Sequence, residues 1–129
     1  MADLVEILSV NQASGEPRRR WFTSEELDLI VWCDEVGDPA AFQLCYDKER
    51  SERALTWSPD HGFTHRVVDD GERVGGKHKA IPILVADVLP FAANRVTRQF
   101  AAASGQVPPE VAKFVKLKLQ EHPDYVHEA

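Results

Sequence analysis

Two periodicities follow one another along the chain, and the change falls near residue 87. Before it the apolar positions recur at strand spacing. Leu27-Asp28-Leu29-Ile30-Val31-Trp32-Cys33 is rich in β-branched and aromatic residues and apolar on both alternating faces, the pattern of a central strand buried on both sides. After a turn at Val36-Gly37-Asp38-Pro39, Phe42, Leu44 and Tyr46 alternate with Ala41, Gln43 and Cys45, which predicts a hairpin. Arg53 to Trp57 continues the alternation, Ser58-Pro59-Asp60-His61-Gly62 makes the next turn, and Phe63 to Asp69 forms a further strand. Asp70-Gly71 is a two-residue hairpin signal, because a type I′ turn needs positive φ at both positions, and it returns the chain through Glu72-Arg73-Val74. Leu4 to Val10 reads as one more strand, with a short helix nearly as compatible with Leu4, Ile7 and Leu8; Ile81 to Ala86 reads as a last strand, and Thr23-Ser24-Glu25-Glu26 has the shape of a capping box and predicts one helical turn.

After Asp87 the period becomes helical. Leu89, Ala92, Val96, Phe100 and Ala103 form one stripe, which Ser104-Gly105 ends. Pro108-Pro109-Glu110 opens a second helix with Val111, Phe114, Val115 and Leu119 facing inward, Pro123 ends it, and the remaining residues read as a frayed tail. Consecutive strands followed by helices predict an α+β fold, an antiparallel β meander packed against two C-terminal helices, with residues 1–129 as a single domain.

Composition fits this picture. A chain of 129 residues buries roughly two thirds of its unfolded surface. Its 43% hydrophobic and 28% charged residues are those of an ordinary globular domain. The longest apolar stretches are far shorter than the roughly 20 residues of a membrane-spanning helix, and the start resembles no signal peptide, so a cytoplasmic protein away from membranes is expected. Cys33 and Cys45 form no CxxC pattern; they would be neighbours if their strands pair, and in a reducing compartment they act as small buried hydrophobes. The net charge of −6 is uneven: residues 1–72 carry 16 acids against 7 Lys and Arg, or −9, and residues 73–129 carry 5 against 8, or +3. Such an acidic half repels a phosphate backbone, and no nucleic-acid partner is expected despite Arg18-Arg19-Arg20 and the lysines 113, 116 and 118.

Candidate chemistry concentrates between Asp60 and Lys79, where three of the five histidines accompany Asp60, Asp69, Asp70 and Glu72. His61, His65 and Asp69, with Asp70 and His78 nearby, are the candidate metal ligands. The spacing is poor for that role. Four residues along a strand is roughly 13 Å, whereas ligands of one ion lie at roughly 2 Å from it, so another segment would have to converge on the site. If Asp70-Gly71 occupies the turn, Asp69 and Glu72 face each other, and a basic side chain or a bound cation must offset the repulsion. Trp32, Tyr46 and Trp57 lie at strand spacing; sharing one face, they would build core or line a ligand pocket. Trp21 is expected to be partly exposed. No Gly-x-Ser-x-Gly elbow is present, neither cysteine has a histidine beside it, and Gly71 to Lys77 lacks the spacing of a phosphate loop. No cofactor is expected.

The segments Arg18-Arg19-Arg20-Trp21-Phe22, Leu29-Ile30-Val31-Trp32, Phe42-Gln43-Leu44-Cys45-Tyr46-Asp47, Arg53-Ala54-Leu55-Thr56-Trp57 and Val68-Asp69-Asp70-Gly71-Glu72 together resemble a small family of uncharacterised bacterial proteins, over most of the chain from Arg18 onward. The resemblance implies one domain and attaches no activity. The expected function is therefore a small non-catalytic binding or interaction domain for a protein or small ligand, self-associating as a homodimer through an uncovered sheet face or edge. A metal-dependent enzyme using residues 60–79 is the rival, with Asp70 and Glu72 as further ligand or interface candidates.

Overall fold

The computed structural model describes residues 3–7, 18–49, 51–69, 83–86 and 90–127. Seven strands, β1 (Val5–Ile7), β2 (Arg19–Thr23), β3 (Asp28–Cys33), β4 (Pro39–Tyr46), β5 (Arg53–Ser58), β6 (Gly62–Asp69) and β7 (Ile83–Ala86), form one sheet in sequential order. All six pairings are antiparallel, which makes the sheet a meander. Two helices, α1 (Ala93–Ala103) and α2 (Pro109–Glu121), follow and give the α+β fold.

Local chemistry fixes the turns. Between β3 and β4 the Asp34 carboxylate accepts hydrogen bonds from the Val36 and Asp38 amides, and Gly37 takes the positive φ of 93° that this turn needs. Pro39 opposes Cys33 at the first position of β4, where a missing N–H costs least. Ser24 accepts the Leu27 amide while its own amide donates to the Leu27 carbonyl, so residues 24–27 form the tight connection between β2 and β3. The capping-box pattern therefore serves a hairpin instead of a helical turn, because β2 precedes it and its hydrogen bonds close back across the loop.

Direct cross-strand pairing builds the core in rows. Glu6, Phe22, Leu29, Leu44, Leu55 and His65 oppose one another in turn across β1 to β6. Val31, Phe42, Trp57 and Phe63 form the neighbouring row on the same face. The helices cover this face: Val96, Phe100 and Ala103 of α1 and Val111, Val115 and Leu119 of α2 are buried in the same cluster as Phe22, Leu29, Phe42 and Leu44. The helical stripes thus bury as their spacing requires. Phe114 sets its ring edge against both Phe42 and Trp57, at centroid distances of 6.1 and 5.9 Å.

Burial in β3 alternates strictly. Leu29, Val31 and Cys33 are buried, whereas Ile30 and Trp32 on the opposite face are only half-buried. The doubly apolar pattern therefore does not mean equal cover, since both helices lie on one side. Cys33 is opposite Pro39 and Cys45 is opposite Asp28, so the two thiols sit at opposite ends of the β3–β4 pair and are not neighbours.

The C-terminal end also departs from the pattern expected of it. Residues 122–127 form a strap instead of a frayed tail: Asp124 accepts the Phe91 amide at 3.0 Å, and Asn94 exchanges two hydrogen bonds with the Val126 backbone at 2.8 and 2.9 Å. Tyr125 packs against the core. Pro123 does end α2, but these contacts hold the chain beyond it.

Candidate functional site

Of the proposed metal ligands, His61 lies in the exposed β5–β6 turn, where its amide donates to Ser58. His65 points to the helix-covered face, with Nε2 hydrogen-bonded to the Tyr46 hydroxyl and its ring stacked on Tyr46 at 5.9 Å. The strand alternation thus separates these two histidines. Asp69 closes β6 opposite Ile83. Asp70, Glu72 and His78, the Asp70-Gly71 turn and the glycine loop lie outside the described residues. Among the described residues, no group of three or more His, Cys, Asp or Glu is placed to hold a metal ion.

The structure brings together a partner for His65 that strand spacing does not show. His122, just beyond α2, packs its ring against Phe63 and Phe91, each at 4.8 Å, and Phe91 also lies 5.2 Å from His65. The Asp124 amide donates to His122 Nδ1 at 2.9 Å, so this nitrogen carries the lone pair and the ring is neutral. Burial pushes the His122 pKa below the usual histidine value; Asp124 opposes that shift and His65 adds to it. Both rings are engaged by aromatic neighbours.

Trp57 shares the core face with Tyr46, but Trp32 does not. In β3 it is Val31 that opposes Phe42, which turns Trp32 to the other side, opposite Arg19 and Ala41. The three aromatics therefore do not line one pocket. An open cleft of about 430 Å³ lies near Tyr46, lined by Glu26, Asp47, Lys48, Glu49, Arg95 and Gln99. Its cations are already engaged: Arg95 forks onto Asp47 with two bonds of 3.1 Å and lies over the Tyr46 ring, and Lys48 holds Asp28 at 2.9 Å. The cleft offers no free positive centre for an anionic substrate.

The second sheet face has a different character. Ile7, Trp21, Ile30, Gln43, Thr56 and Thr64 oppose one another across β1 to β6, with Trp32 and Ala41 beside the row and Val5 near its outer end. Trp21, Ile30 and Trp32 are half-buried, Ile7 is 37% exposed and Val5 53%. Apolar side chains thus gather at the β1–β4 end, while Thr56 donates to Gln43 at the other. Among the described strand residues of β1 to β6, Arg19, Asp28 and Arg66 are the charged positions that register assigns to this face.

No protein-family model, curated protein or solved structure matches the chain. Among the described residues, no helix is long and apolar enough to cross a membrane.

Proposed function

We propose that this protein is a small cytoplasmic, non-catalytic interaction domain that pairs with a second copy of itself through the helix-free sheet face. The apolar row Ile7, Trp21 and Ile30, with Trp32 beside it, carries the reading, because such side chains gain from cover that the helices give only to the opposite face. Two copies present identical surfaces, and flat sheets stack face to face at roughly 10 Å with interdigitating side chains. Among the described strand residues of this face the one acid, Asp28, is held by Lys48 and Thr23, so these residues add little like-charge repulsion between two faces.

Four strands, β1 to β4, spaced by about 4.8 Å and a strand reach of about 20 Å give a face of roughly 400 Å² per copy, in the range of weak, transient interfaces, while Cys45 and Ala54 on the same side of the sheet are already buried. Such an area supports a concentration-dependent dimer instead of an obligate one. Sedimentation velocity over a concentration series tests it: the wild type should shift from monomer to dimer, and Ile30→Lys, which places a charge at the centre of the row, should remain monomeric. Equal behaviour of the two proteins, with their folds intact, would sink the proposal.

A further inference from the structure

One imidazole nitrogen takes part in holding the strap that closes the aromatic end of the core. His122 Nδ1 accepts the Asp124 amide, Asp124 accepts the Phe91 amide just before α1, and Asn94 of α1 holds Val126 by two bonds. Beneath these contacts the His122 ring fills the space between Phe63 of β6 and Phe91. We propose that His122 is a proton-operated latch: its neutral ring holds residues 124–127 down, and protonation releases them from Phe91 and Asn94.

The chemistry runs in one direction. A proton added at Nδ1 turns the acceptor into a second donor facing the Asp124 N–H, so this hydrogen bond is lost and two donors confront each other. The new cation is half-buried against two phenylalanine rings and loses part of its hydration. Among the described residues, the strap also carries His127, whose ring packs against Tyr125 at 4.8 Å. His65 of β6 disfavours the added charge, and Asp124 of the strap favours it but is turned to the Phe91 amide. In the last turn of α2, Lys118 and Glu121 are paired with each other at 3.2 Å, and Arg95 of α1 is held by Asp47 at 3.1 Å. Burial outweighs the pull of Asp124, in line with the lowered pKa of His122. Opening would expose the edges of Phe63, Phe91 and Tyr125 and so present an apolar surface only in mildly acidic solution. This inference does not depend on the dimer.

Two measurements on the full chain test the latch. Ring ¹⁵N shifts at about pH 7.5 should show His122 as the Nε2–H tautomer, and a protonated Nδ1 there would overturn the proposal. Amide exchange at about pH 7.5 and about pH 5, expressed as protection relative to the free peptide rate, should show Phe91, Asp124 and Val126 losing protection several-fold at the lower pH. His122→Asn places an amide oxygen near the position of Nδ1 and does not titrate, so it should keep these amides protected at both values. Unchanged protection in the wild type, or the same loss in His122→Asn, would refute the latch.

Discussion

Replacing Phe91 by alanine tests the aromatic end of the fold most severely. Phe91 is 4% exposed, and its ring meets Tyr46, His65 and His122 at centroid distances of 5.8, 5.2 and 4.8 Å. Removing a buried phenylalanine ring costs about 3–5 kcal/mol, the transfer of the ring plus the cavity left behind. Here the neighbours His65 and His122 are half-buried and the strap is short, so the site can partly collapse and water can enter. The lower end, about 3 kcal/mol, is therefore expected. A domain of this size has about 5–15 kcal/mol of stability, so the variant should remain folded with a melting temperature lower by about 10 °C. Urea unfolding followed by tryptophan fluorescence measures the difference directly. A loss below about 1 kcal/mol would refute the packing described for Phe91, and Phe91→Leu should fall between the wild type and the alanine variant.

Two further predictions concern charge and thiol chemistry. Glu6 forks onto Arg20 with two bonds of 2.8 Å and ties β1 to β2; the Arg20 hydrogen bond lowers the Glu6 pKa despite partial burial, so its stabilisation is present above the ordinary carboxylate value and is lost as pH falls through the lowered one. Glu6→Gln should cost about 1 kcal/mol at neutral pH in urea unfolding and reduce that acid-side loss, and an unchanged midpoint would show that the fork contributes nothing. Burial pushes the Cys45 thiol up to about 12 and also raises Cys33, so neither should react with an aromatic disulfide reagent at neutral pH until denaturant is added; rapid labelling of the folded protein would contradict this burial.

The change of period near residue 87 made the α+β plan legible, since the stripes at Val96, Phe100 and Ala103 and at Val111, Val115 and Leu119 bury as their spacing predicts. The order of the strands was legible too, because short turns force sequential neighbours. Strand β2 was hidden by the charge run Arg18-Arg19-Arg20 at its start, which masks the alternation of Trp21 with Phe22. The side taken by Trp32 could not be read from Leu29-Ile30-Val31-Trp32, which is apolar on both faces; only the pairing of Val31 with Phe42 decides it. His65 and His122 lie 57 positions apart in sequence, and their shared neighbour Phe91 is supplied by tertiary packing alone. The Asp60–Lys79 concentration of polar side chains misled in one respect: a strand's alternation turns His65 inward while His61 stays in the turn.

The proposed role rests on what covers the second face of the sheet, and subunit number tests it most directly. Native mass spectrometry at neutral pH over a range of protein concentrations, before and after a chelator, reports both assembly and bound mass. The account predicts a dimer that grows with concentration, is insensitive to the chelator and disappears in Ile30→Lys. A monomer at every concentration, or an assembly that the chelator dissolves, would contradict it.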